Sequence, residues 1–441
     1  MIFNRRCADF LRGTGALPTC VLALALFAAF TFTFSAAAKE TARGEARLAV
    51  FDDVWETINE RYYDDTFHGV DWQSQRSKFR ALAADAENSA ELYAIMRRMI
   101  AALRDAHTRV YAPNEKYDWR HPRVTSVGVS VREIEGEPTV TNVEQDSAAA
   151  RAGLRAGDVI LRIDNESARA LFERRLNEGI NSSTIQATRL RAVAGLFDGA
   201  AGTNVKVAWL DGKGAEREAT LLREQQERVQ ELHVKRVRGG FSFVQFDAFT
   251  ESVAVDFARR MTNDLRRASG LVIDLRGNGG GEAEAMTEIA SAFLDAGTSL
   301  GQFTDRTGRA AFAPQTRRAM LLAADTAAHF RAPVVLLTSA RTSSAAEIFA
   351  ATLKETHRAV VIGTQTCGCV LAIRRRHSLP DGGELDVSEM DYRTPNGARL
   401  EGTGVVPDEE IRLARQDLRT RRDRALERAI ELLQAARRAQ K

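Results

Sequence analysis

At 441 residues the chain is long enough for two or three domains, each with a core of its own. Its 62 basic and 59 acidic side chains leave a formal charge of +3, which gives no electrostatic footprint for nucleic acid or for an acidic surface as partner.

The N-terminus has a different composition. Arg5, Arg6 and Arg12 precede an apolar stretch from Leu17 through Phe34, and Ser35-Ala-Ala-Ala38 follows. That is the shape of a secretory signal with cleavage at small residues near Ala38, and residues 1–38 are expected to be a signal peptide. The stretch is also long enough for an uncleaved membrane anchor. Export, into a bacterial periplasm, is the expected location either way. Cys20 lies too early in the apolar run to be a lipid-attachment site.

From Ala42 to about Pro113 the pattern is helical. Val50, Val54, Ile58 and Tyr62 recur every four residues, and Leu92, Ile95, Met99, Ala102 and Leu103 form a second apolar face. A helical lobe over 39–122 is expected, ending in Leu103-Arg-Asp-Ala-His-Thr108. By composition alone, His107 and Asp105 read as surface or helix-capping residues.

Over 123–225 short alternating strands take over. Val127–Val131 and the segment holding Val140 and Val143 read as strands, and Ser147–Leu154 as a short helix. Lys206–Leu210 and Arg217–Leu221 form a hairpin around Asp211-Gly212. The order resembles a PDZ domain, a module that receives an extended peptide along a strand edge. Residues 165–202 exceed what a compact PDZ domain needs, and a helical insertion over the groove is expected there.

Three buried strands end in polar turns between 226 and 408. Gly270-Leu-Val-Ile-Asp274 opens into a glycine-rich turn through Gly281. Pro333–Thr338 delivers Thr342-Ser-Ser-Ala-Ala-Glu347 and then a helix, and Ala359–Gly363 leads to Thr366-Cys-Gly-Cys369. The phenylalanines of Gly240–Phe249 read as core, and Phe303–Pro314 as a polar connection or hairpin. From Glu409 to Ala439 a helix is expected, as a solvated salt-bridged face or as one that joins subunits.

The Asp-Leu-Arg-x-Asn-x-Gly-Gly segment, the serine segment ending in Glu347, the turn 363–368, Tyr392-Arg-Thr-Pro395 and Gly404-Val-Val-Pro-Asp408 occur in one order. Together they resemble the C-terminal processing and tail-specific serine peptidases. The resemblance implies an α+β multi-domain protein: a helical N-terminal lobe, a PDZ-like β domain and an α/β catalytic core of the ClpP/crotonase-like type. It also implies cleavage of unfolded or C-terminally recognised polypeptides through an acyl-enzyme, with no cofactor and no metal.

Carried over by position, the resemblance makes Ser344 the nucleophile. In most members the base is the lysine of a Thr-x-Gly-Lys segment, and here that position is Cys369. The tricorn-like branch uses a histidine instead, which points to His107, with Glu401 as orienting carboxylate and Asp105 as the alternative. Ala345, Gly279 and Gly280 would donate N–H groups to the oxyanion, while Asp274 and Arg276 shape the turn. Cys369 as a rival nucleophile, a Cys367–Cys369 redox pair at the rim, and a catalytically inactive peptide-binding homologue all remain open at this level.

Overall fold

The computed structural model describes residues 43–115, 123–177, 182–317 and 329–439. The expected signal or anchor segment lies outside the described residues. Among them, no helix is long and apolar enough to cross a membrane.

The N-terminal lobe is three helices: α1 (43–61), α2 (Trp72–Ala84) and α3 (Ser89–Ala101). Asp71 and Asn88 start α2 and α3 by accepting the Ser74 and Glu91 N–H groups, which satisfies donors that a helix start leaves unpaired. Their apolar stripes bury Ile58, Tyr62, Tyr93, Met96 and Met99 in one core that also holds Leu385 and Val387, far along the chain. The lobe is therefore built onto the catalytic body. Strand β1 (Arg109–Tyr111), which follows it directly, pairs with a strand of that body.

The PDZ-like domain begins with β2 (Arg123–Ser126), β3 (Val129–Ile134), β4 (Glu137–Val143), the short helix α4 (Ala148–Ala152) and β5 (Val159–Ile163). After β6 (Glu166–Ser167) come the insertion helices α5 (Ala168–Asn177) and α6 (Ile185–Ala194), then β7 (Asn204–Leu210), β8 (Glu216–Leu222) and β9 (Glu224–Glu227). The sheet runs β3-β4-β5-β7-β8, with β6 on β5 and a separate β2–β9 ribbon. Helix α6 packs along β3, and Arg189 reaches Glu133 across that contact. The expected β7–β8 turn is closed by Asp211, whose carboxylate accepts the Lys213 and Ala215 N–H groups.

The catalytic body holds β10 (His233–Val237), β11 (Phe241–Gln245), α7 (Glu251–Asn263), β12 (Leu271–Asp274), α8 (Ala283–Ser291) and the hairpin β13 (Gln302–Asp305) and β14 (Ala310–Phe312). It continues with β15 (Val334–Thr338), α9 (Ala345–Glu355), β16 (Ala359–Gly363), β17 (Ala372–Ser378), β18 (Glu384–Arg393) and β19 (Glu409–Glu410). One sheet, in the order β10-β11-β12-β15-β16-β19, is parallel from β11 onward. Parallel strands are covered on both faces, so their sequences are almost unbroken apolar runs. Helices α7, α8 and α9 cover one face with Phe246, Phe249, Phe257 and Phe349. The second sheet runs β1-β18-β13-β14, with β17 also on β18.

The C-terminal segment differs from the single helix expected over 409–439. Glu409 and Glu410 extend the parallel sheet as β19, the turn of α10 (Arg415–Arg419) follows, and only α11 (Arg424–Ala439) is a long helix. Pairing of β19 depends on backbone groups, which leave no periodicity in the side chains. Ala425, Ala429 and Leu433 of α11 cover the sheet's other face, over Phe243, Val272 and Leu337.

Arg276 pins that helix to the sheet. Its guanidinium bonds to Asp274 at the end of β12 and to Asp423 just before α11, at 2.7 and 2.8 Å. Asp274 is 5 % exposed, so losing the arginine would strand a buried charge. Arg276→Ala is expected to lower unfolding free energy by about 3–5 kcal/mol in denaturant titration.

Candidate active site

Strand β15 ends at Thr338, and the segment from Ser339 to Ser344 is fixed against the β12 turn. Ser339 Oγ donates to Arg276 O, Thr342 Oγ1 donates to Leu275 O at 2.7 Å, and the Ser343 N–H donates to Asn278 O. Ser344 then starts α9 with φ 55 and ψ −125, a conformation that costs a non-glycine residue on the order of 1–3 kcal/mol and persists only where neighbours over-determine it. Two acceptors do so here. The Ser344 N–H lies 2.9 Å from Cys369 O and 3.1 Å from Glu347 Oε2.

That geometry leaves the Ser344 side chain free. Among the described residues its Oγ meets no hydrogen-bond partner, and neither does the Ala345 N–H beside it at the positive end of α9. Gly280 is the residue that permits the approach: a Cβ there would lie 2.7 Å from Ser344 Cβ and 2.9 Å from Ser343 O. The N–H groups of the turn are already engaged, Gly279 with Asp247 O and Gly280 with Asn278 Oδ1. Of the three expected oxyanion donors, only Ala345 is uncommitted.

Residues 366–371 form the opposite wall. The Gly368 and Cys369 N–H groups donate to Glu347 at 2.7 and 2.9 Å, and those of Val370 and Leu371 donate to Glu401 at 2.7 and 3.2 Å. Four consecutive amides are thus divided between two buried carboxylates. The Thr366 hydroxyl also donates to Glu347. Burial pushes the Glu347 carboxyl up to about 7 against these donors, and burial together with the Asp105 charge pushes Glu401 up to about 8. Cys367 and Cys369 are joined as a disulfide, so neither sulfur is available as a nucleophile. The lysines described do not fill the gap: Lys354 on α9 is held by Val406 O and Asp408.

The loop that carries His107 reaches this wall from the N-terminal lobe. Antiparallel pairing of β1 with β18 sets Arg109 opposite Asp386, and the Ser388 N–H donates to Thr108 Oγ1 at 3.1 Å. Ala106 packs with Cys367 and Cys369. Asp105 serves the turn itself, accepting the His107 and Thr108 N–H groups. His107 Nδ1 is buried without a hydrogen-bond partner, and desolvation lowers the imidazole to about 4, a shift opposed by Asp105 and helped by Arg109 and Arg191. Glu401 is bonded to the Val370 and Leu371 amides and to the Ser183 hydroxyl. The structure records no hydrogen bond between Glu401 and His107.

Three contributors were given no role in the site by the sequence reading. For Glu347 the available signal is its place as the acidic end of a Ser-x-x-Glu capping box beginning at Ser344. Ser183 and Thr184, at the start of α6, carry no such signal. Thr184 Oγ1 donates to Cys367 O at 2.7 Å, and the Ala106 N–H donates to Ser183 Oγ. No cluster of His, Cys, Asp and Glu that could hold a metal occurs among the described residues.

Residues 241–411 match peptidase family S41, residues 44–101 the tricorn protease C1 domain and residues 125–188 the PDZ domain. Residues 241–411 are thus similar to the peptidases of family S41. Carboxyl-terminal-processing peptidase 1 of Arabidopsis thaliana is 27% identical over 382 residues, covering 81% of this chain and 71% of its own. The carboxyl-terminal-processing protease of Picosynechococcus sp. is 27% identical over 377 residues, covering 81% of each chain. Among solved structures, mature CPAF superposes with TM-score 0.67 at 13% identity, covering 89% of this chain and 96% of its own. The photosystem II D1 C-terminal processing protease gives 0.55 at 23%, covering 84% and 94%. The chain is an enzyme similar to the S41 carboxyl-terminal processing peptidases, which are serine proteases.

The raised carboxyls make stability depend on pH. A carboxyl whose folded value exceeds its unfolded value stabilises fully below the ordinary value of 4.5 and loses that contribution as pH rises towards about 8 for Glu401. Glu401→Gln cannot titrate. Its unfolding free energy should fall less steeply between about pH 5 and 8 than that of the parent, by up to about 1.4 kcal/mol per pH unit, in denaturant titrations across that range.

Proposed function

We propose that the protein is an exported serine endopeptidase in which Ser344 attacks a peptide carbonyl and forms an acyl-enzyme that water then hydrolyses. The observation that carries this reading is the pose of Ser344: a strained residue with a free hydroxyl at a helix start, beside the unengaged Ala345 N–H. Such an N–H, aimed where negative charge develops, is worth on the order of 10²–10³ in rate. Gly280, whose N–H is lent to Asn278, is the adjacent candidate for a second donor.

A serine hydroxyl needs a base. His107 fits that role better than any described lysine, because it stands on the loop packed against the Cys367–Cys369 wall and its burial keeps the imidazole neutral. Its unpartnered Nδ1 is where an orienting carboxylate belongs, following the logic of the serine-histidine-acid triad. Glu401 is the buried carboxylate on the neighbouring segment. Substrates would be extended polypeptides, with the PDZ-like domain holding a peptide end along β3.

Ser344→Ala and His107→Ala are each expected to lower kcat on an unfolded protein by about 10³-fold or more, and Ser344→Ala to abolish labelling by a serine-reactive phosphonate. Failure of the parent to cleave or label, with peptide binding retained, would favour a noncatalytic peptide-binding homologue, a reading to which the missing lysine lends its weight. With His107 lowered to about 4, the acid limb of kcat/KM should fall near pH 4. A limb centred near 6.5 would remove the buried neutral histidine from this role.

A further inference from the structure

The disulfide occupies the position that the sequence resemblance assigns to a lysine base, and it is hydrogen-bonded to both ends of the nucleophile segment. The Cys367 N–H donates to Thr342 O and the Ser344 N–H donates to Cys369 O, each at 2.9 Å. The crosslinked turn thus lies against Thr342–Ser344 as a two-bond ladder, with Ser343 between the rungs. On its other side Cys367 O accepts from Thr184 Oγ1, Gly368 O accepts from the Gly402 N–H, and Ala106 and Ala187 pack against the sulfurs' residues. Gly368 sits inside the ring at φ +69, where a Cβ would meet Thr184 Cγ2 at 2.8 Å and Gly404 N at 3.0 Å.

A crosslink around one intervening residue closes too short a loop to restrict the unfolded chain much. Its effect is local. It holds the Cα atoms of residues 367 and 369 5.2 Å apart, short of the roughly 7 Å that two residues span when extended, and so keeps the carbonyl of Cys369 turned towards Ser344.

We infer that the Cys367–Cys369 disulfide is a positioning element for Ser344, so that the peptidase is inactive while these cysteines are thiols and becomes competent when they are oxidised. The inference rests on Ser344 being the nucleophile. In closing, the two thiols form one S–S bond and pass two electrons and two protons to an incoming disulfide, which leaves as two thiols. Residues 367 and 369 are 4 % and 0 % exposed, so the bond closes as the chain folds and is afterwards shielded from exchange. A peptidase made in a reducing compartment would thereby stay inactive until it reached an oxidising one.

The test uses the full chain carrying Cys7→Ser and Cys20→Ser, which removes the two cysteines of the N-terminal segment. The protein is refolded from urea with either glutathione disulfide or dithiothreitol, and its thiols are counted by alkylation and peptide mass. The oxidised form should cleave an unfolded protein and take up a phosphonate on Ser344. The reduced form should keep its near-UV circular dichroism and its KM while kcat and labelling rate fall roughly 10²-fold, the scale of a small misplacement at a reacting centre. Unfolding the reduced form and refolding it with glutathione disulfide should restore both rates. Cys367→Ala/Cys369→Ala should stay slow under either condition. Equal labelling of the oxidised and reduced forms would overturn the inference alone, as would loss of the folded spectrum on reduction, which would mark the bond as a stability element. Absence of labelling in every form would overturn the serine-peptidase reading, and this inference with it.

Discussion

Four backbone N–H groups in a row, from Gly368 to Leu371, end on two buried carboxylates, and the site depends on that division. Glu347 belongs to the helix that Ser344 starts and Glu401 to the segment that follows β18. Each carboxylate would be costly to bury alone, and each row of amides would be costly to bury without acceptors. Together they fix a loop that has no regular secondary structure. Glu347 also takes the Ser344 N–H, so the same carboxyl group that holds the wall holds Ser344.

All three parts of the chain meet on this wall. The N-terminal lobe supplies Ala106, next to His107, and the PDZ-like domain supplies Ser183 and Thr184 at the start of α6. A strand of the PDZ-like sheet, β3, packs against that same helix. A peptide seated along β3 would thus lie one helix away from the carbonyl of Cys367. The connection is made of directional hydrogen bonds, which respond to small rotations more sharply than apolar contacts do.

The strand and helix order of the catalytic body was legible because buried parallel strands write themselves as apolar runs: Leu271–Asp274, Val334–Thr338 and Ala359–Gly363 needed no partner to be recognised. The segment Thr342–Glu347 stood out at the junction of strand and helix, while the choice of Ser344 within it came from the resemblance to the C-terminal processing peptidases. The C-terminal segment was misread because β19 pairs through its backbone while its side chains, Glu409 and Glu410, resemble those of the charged helix after it. Glu401 shows a different limit. The carboxylate read as a partner for histidine accepts two amides and the Ser183 hydroxyl, and no spacing in the sequence encodes which donors a folded loop will bring to it. The disulfide likewise depends on a bend at Gly368 that only the surrounding contacts enforce.

The short strand β1 also bears on when the molecule can assemble. Its three residues pair with β18, and the Thr108 hydroxyl receives an N–H from Ser388, 280 residues later. The lobe's own core includes Leu385 and Val387. Contacts of such long range are closed late, after much loop entropy has been lost. The helices made first therefore cannot finish folding until β18 has been synthesised, and His107 reaches its place only when nearly the whole chain exists. The order of synthesis thus delays assembly of the cleft, while the chain is still growing and its own unfolded segments would be the nearest polypeptides.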